Sequence, residues 1–122
     1  MSRIEAIRQR AAQATKGPWS YERCEDERGG IDYDIESWSK PARRRDTKIA
    51  CGCESRFDAE FIAHAREDVP YLLTLWDTRE TALRALVERM THQAVQLHPN
   101  DPVRVALKPH IESLSRLLEQ EP

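Results

Sequence analysis

The period of apolar and polar positions changes twice along this chain. From Ser2 to Ala14, the residues Ile4, Ile7, Ala11 and Ala14 recur on one face of a helix. Ser2 and Glu5 have the spacing of a capping box, and Thr15-Lys16-Gly17-Pro18 ends the run. The period then falls to two. Trp19 to Cys24 alternates as a strand does, and Ile31, Tyr33 and Ile35 share one face of a second strand. Glu27-Arg28-Gly29-Gly30 lies between them as a hairpin turn. Thr47 to Cys53 predicts a third strand with Ile49, Cys51 and Cys53 on one face, reached through a loop over residues 39–46. Such a sheet, apolar on one side, needs helices against that side.

Helical spacing returns at Ser55, which has a capping position. Phe57, Phe61, Ile62 and Ala65 form the expected apolar face of a short covering helix, with Phe61 placed under the sheet. Asp68-Val69-Pro70 reads as a corner and a new helix start. Beyond it, Leu72, Trp76, Leu83, Leu86, Met90 and Leu97 fall at three- and four-residue steps, interrupted by Arg79 and Gln93. Leu73, Leu75 and Val87 widen that stripe. Without a glycine or proline from Tyr71 to Leu97, this helix runs for roughly 40 Å at a rise of ~1.5 Å per residue. Asn100-Asp101-Pro102 starts a return helix carrying Val103, Leu107, Ile111, Leu114 and Leu118, with a kink or break expected near Pro109.

These elements predict one α+β domain over residues 1–122. Residues 1–69 hold the N-terminal helix, a small three-stranded antiparallel sheet and a short covering helix. Residues 70–122 hold a long antiparallel helical hairpin. Local chain order suggests a meander. The far half of the hairpin, around Leu86 to Leu97, has only the return helix to cover it. A homodimer completing a four-helix bundle is therefore expected, with Leu86, Met90 and Leu97 near its interface.

Composition narrows the function classes. The chain is 39% hydrophobic and 33% charged, with a net charge of −2, so it shows no overall bias toward nucleic acid or an anionic membrane. No apolar run approaches the roughly 20 residues that span a bilayer, and MSRIEAIRQR lacks the apolar centre of a secretory leader. Three cysteines, an odd number, suit a reducing cytoplasm.

Candidate chemistry is sparse. Cys24, Cys51 and Cys53 with His64 could form a Cys3His zinc site, but their spacing is wrong for a ribbon or finger, and small core residues are the expected role for the thiols. No metal or other cofactor is expected. No HExxH, P-loop, GxGxxG or nucleophile elbow occurs, and Asp58, Glu60, Glu67 and Asp68 read as capping or solvated carboxylates. Recognition falls instead to Trp38, on the polar face of its strand, to Arg43-Arg44-Arg45, and to Arg79 and Trp76 on the long helix.

Two segments carry a resemblance. ATKGPW at Ala14–Trp19 resembles an ATPGPW segment, and DAEFIAHAREDVPYLL at Asp58–Leu73 resembles a DAEFIAHAR-DVPALL segment. Both are features of small actinobacterial and actinophage proteins, loosely similar to the Ead/Ea22-like phage accessory proteins. The likeness departs at Lys16, where proline is usual, and has no counterpart over residues 78–122. It implies an accessory protein with no catalytic residues to carry over. The expectation is a non-enzymatic, dimeric binding protein acting on a host protein through its hairpin or an exposed apolar surface. The alternative is capture of a small anionic molecule such as a nucleotide signal, by arginines and tryptophans.

Overall fold

The computed structural model describes residues 2–38 and 47–120. It contains α1 (Arg3–Gln13), β1 (Trp19–Glu25), β2 (Ile31–Ser37), β3 (Thr47–Cys53), α2 (Arg56–Val95) and α3 (Pro102–Glu119). The chain is α+β, and the sheet is an antiparallel meander in the order β1-β2-β3. Two compact units emerge: residues Ile7–Leu72, and the first residues through Ala6 with the chain from Leu73 onward.

In the first unit, Trp19 pairs with Ser37 and Glu25 with Ile31. The intervening turn is built by Asp26. Its backbone N–H donates to Gly30 O at 2.9 Å, and its carboxylate accepts from the N–H groups of Arg28 and Gly30 at 2.8 and 2.7 Å. Gly29 takes the left-handed conformation here, with φ of 78°. The β2–β3 register slips twice, between Tyr33 and Ile35 and again before Glu36. Gly52 sits in the first irregularity with φ of 71°. That slip breaks the expected alternation of β3. Cys53 packs against the core while Cys51 is exposed, so Cys51 is not the core residue that period-two spacing predicts.

The core of this unit is Ile35 with Ala59 and Ala63 of α2, flanked by Trp19, Tyr21, Tyr33, Ile49, Ala50, Cys53 and Ile62. Tyr21 and Tyr33 meet edge to face, with ring centroids 6.2 Å apart. The expectation for Phe61 is overturned: it is 76% exposed, and Phe57 is 79% exposed. The reason is volume. The sheet already presents bulky aromatics, and α2 meets them with alanines at an i, i+4 spacing, which turns both phenylalanines outward.

The expected corner at Pro70 is also absent. α2 runs unbroken through it for 40 residues, so the covering helix and the long helix are one element. Ser55 begins it as expected, its hydroxyl accepting from Asp58 N at 3.3 Å. Pro109 likewise lies inside α3 without ending it. A proline removes one helical donor, and the many bonds on either side hold the helix together.

In the second unit, a tight turn precedes α3, which starts at Asp101-Pro102 as expected. Asp101 N donates to His98 O at 2.8 Å, and the Asp101 carboxylate caps α3 by accepting from Val103 N at 2.8 Å. Arg104 Nη1 reaches back to Leu97 O at 2.9 Å. Reduced exposure recurs at Leu73, Asp77, Glu80, Leu83, Val87, Met90 and Ala94 on α2, and at Arg104, Leu107, Ile111, Leu114 and Leu118 on α3. Those three- and four-residue steps mark the sides on which two antiparallel helices meet. Leu73 and Ala94 are buried, whereas Leu72 and Leu86 point outward. The less exposed side of α2 is therefore rotated from the leucine stripe read off the sequence, with Ala94 rather than a leucine buried beside the turn.

Candidate functional site

Three places collect chemistry or exposed surface. The first is the outer face of the sheet, where Cys24 of β1 stands beside Asp32 and Asp34 of β2. Their ligand atoms all lie within 4.8 Å of one another, the only such His, Cys, Asp or Glu group among the described residues. Asp34 is already occupied: Lys48 Nζ lies 2.7 Å from one carboxylate oxygen, and Gly52 N donates to the other at 3.2 Å. The Lys48 hydrogen bond holds the Asp34 carboxyl below its ordinary range, and the same bond raises Lys48. Partial burial, followed by the Asp34 charge, pushes the Cys24 thiol up. A metal ion here would have to displace Lys48 and deprotonate that thiol. The thiols imagined as a Cys3His set are divided: Cys24 on the outer face, Cys53 on the core face, Cys51 exposed, and His64 exposed on α2.

The second place is the exposed face of the first half of α2. At ~100° per residue, Phe57, Phe61, Tyr71 and Leu72 share one face, and they are 79%, 76%, 67% and 58% exposed. Asp58, Glu60, Glu67 and Asp68 lie on and beside this face, giving the apolar strip an acidic border.

The third is a pocket of about 260 Å³ between α1 and α2, lined by Ile7, Ala11, Ala14, Ala65, Val69 and Pro70, with Trp19 and the arginines Arg10 and Arg66. The chain around Gly17 fixes two of these side chains. Trp19 Nε1 and Arg66 Nε both donate to Thr15 O, at 3.1 and 2.8 Å. A Cβ on Gly17 would fall 2.9 Å from Arg66 Cγ, so the loop passes closely over the arginine stem. Neither Arg10 nor Arg66 forms an ion pair among the described residues.

The residues singled out by sequence are scattered. Trp38 is 64% exposed, its indole N–H donating to the Ser20 hydroxyl and its backbone N–H to Pro18 O at 2.9 Å. Arg43, Arg44 and Arg45 lie outside the described residues. Trp76 is 41% exposed, and Arg79, one turn on along α2, is exposed as well; both belong to the second unit. Of the three expected interface residues, Leu86 is exposed while Met90 and Leu97 are half-buried. Sequence reading missed Arg10, Trp19 and Arg66 as a group. The signal was present in the alanines Ala11, Ala14 and Ala65, which leave space where a larger core residue would fill it.

No family model matches the chain, and neither the curated proteins nor the solved structures offer a match. No helix among the described residues is long and apolar enough to cross a membrane.

Proposed function

We propose that this is a dimeric, non-enzymatic binding protein whose partner is another protein, held on the exposed face of α2. The observation that carries this reading is the pair Phe57 and Phe61, four residues apart and each more than three-quarters exposed. Large aromatics left in water on a rigid helix are characteristic anchors for a partner's groove. The acidic border of Asp58, Glu60, Glu67 and Asp68 favours a groove with a basic rim. The resemblance of residues 14–19 and 58–73 to phage accessory proteins supports a host protein as the occupant.

Dimerisation is supported by how little the hairpin buries alone. α3 has no buried residue. Trp76, Leu86, Val95, Val103, Val105 and Leu117 all remain exposed in this unit. A second hairpin would cover part of that surface.

The test is quantitative affinity capture from an actinobacterial lysate, with the tagged chain and a Phe57→Ser/Phe61→Ser variant of matched stability. The proposal requires a protein captured stoichiometrically by the first and lost with the second, with capture weakening as salt rises. Equal capture by both removes the α2 face from consideration.

A further inference from the structure

The pocket beside Gly17 has properties that a packing defect would lack. Its floor is made by Ala11, Ala14 and Ala65, and its one large side chain is Trp19, held in place through its indole N–H. Two guanidinium groups, Arg10 from α1 and Arg66 from α2, stand on its lining with no carboxylate paired to either among the described residues. Arg66 is pre-organised, because its Nε is committed to Thr15 O at 2.8 Å and Gly17 confines its stem. Its terminal nitrogens remain available to a planar anion. An apolar cavity bordered by two unpaired cations is complementary to a molecule with an apolar body and one anionic head.

We propose that this pocket binds a small monocarboxylate with a compact aromatic or short aliphatic body, the carboxylate on Arg10 and Arg66 and the body against Trp19 and the alanines. A volume of about 260 Å³ suits an arylalkanoate. A nucleotide fits less well, since the mostly apolar lining offers no backbone cradle for several phosphates. The site is separate from the Phe57–Phe61 face and does not depend on it.

The experiment uses the full chain labelled with ¹⁵N and titrated with 3-phenylpropanoate, with 3-phenylpropanol as the neutral analogue and AMP as the nucleotide. Saturable amide shifts clustered at Ala11, Ala14, Ala65 and Val69 are expected for the carboxylate. Binding of the alcohol should be weaker by about tenfold, the worth of a charge-assisted hydrogen-bonded head. Arg10→Gln, at an exposed position, should weaken the carboxylate and leave the alcohol unchanged. Arg66→Gln, should it lose the fold with its Thr15 anchor, is replaced by Arg66→Lys, which keeps the charge and loses the fork; weaker carboxylate binding is expected there too. The inference is overturned by any of four results: no saturable shift, equal affinity for carboxylate and alcohol, preference for AMP, or shifts centred on Phe57 and Phe61.

Discussion

Asp34 concentrates the electrostatics of the sheet's outer face. With Lys48 Nζ at 2.7 Å and the Gly52 N–H at 3.2 Å, its charged form is favoured in the folded state. Its folded pKa therefore lies below the unfolded value, and its contribution to stability is present above about pH 4 and disappears as pH falls through the folded value. Lys48 has the opposite sign: its folded pKa is raised, so its contribution is present below about pH 10 and disappears above that. Urea unfolding at stepped pH should show stability falling on the acid side, and Asp34→Asn should flatten that slope. An unchanged acid slope would mean that the pair is too solvated to matter. Packing gives a second contrast at this scale. Phe61→Ala should shift stability by less than about 0.5 kcal/mol. Ile35→Ala, which truncates the one large side chain completely buried among the described residues, should cost about 2–5 kcal/mol. Comparable costs at both sites in urea melts would contradict the exposed placement of Phe61.

Helix caps and turns were the most legible elements, because they rest on local hydrogen bonds that neighbouring residues complete. Ser2 accepts from Glu5 N at 3.1 Å, and Ser55 and Asp101 act at their own helix starts. Asp26 and Gly29 likewise form their turn from residues within it. What local pattern could not decide was set by distant neighbours. The choice of Ala59 and Ala63 over Phe61 as the buried face depends on the aromatics of the sheet, and the burial of Ala94 beside the hairpin turn has no mark in the leucine spacing. The bulge at Gly52 turned Cys51 outward, and period-two spacing has no signal for that. Pro70 yields a prediction of its own. Within a continuous helix, Pro70→Ala restores an N–H to the Arg66 carbonyl and should stabilise the chain by about 1–3 kcal/mol. Thermal unfolding reads this directly. No gain, together with rapid amide exchange over residues 66–74, would instead point to a break at Pro70.

At the scale of the molecule, the sequence pointed to aromatic and arginine side chains as the recognition types but not to the places where they gather. Trp38 is exposed, in keeping with its polar-face position, whereas Trp76 and Arg79, read on the apolar stripe of the long helix, are exposed as well, and the three fall in different units. The pocket arginines carry no local mark, since Arg10 and Arg66 become neighbours only through the loop at Gly17. Self-association is tested by light scattering at micromolar concentration, where about twice the chain mass of 14.2 kDa is expected. Leu86→Glu should shift it toward monomer with little loss of stability, and a monomeric wild-type chain would remove the dimer from the account. The central claim is that a foreign protein docks on Phe57 and Phe61, and site-specific photo-crosslinking tests it most directly. A benzophenone amino acid placed at position 61 in actinobacterial cells should yield one discrete adduct with another polypeptide, and Phe57→Ser should abolish it. The same probe at position 105 on α3 should not give that adduct. Absence of any adduct from position 61, or an adduct only with a second copy of this chain, would contradict the claim.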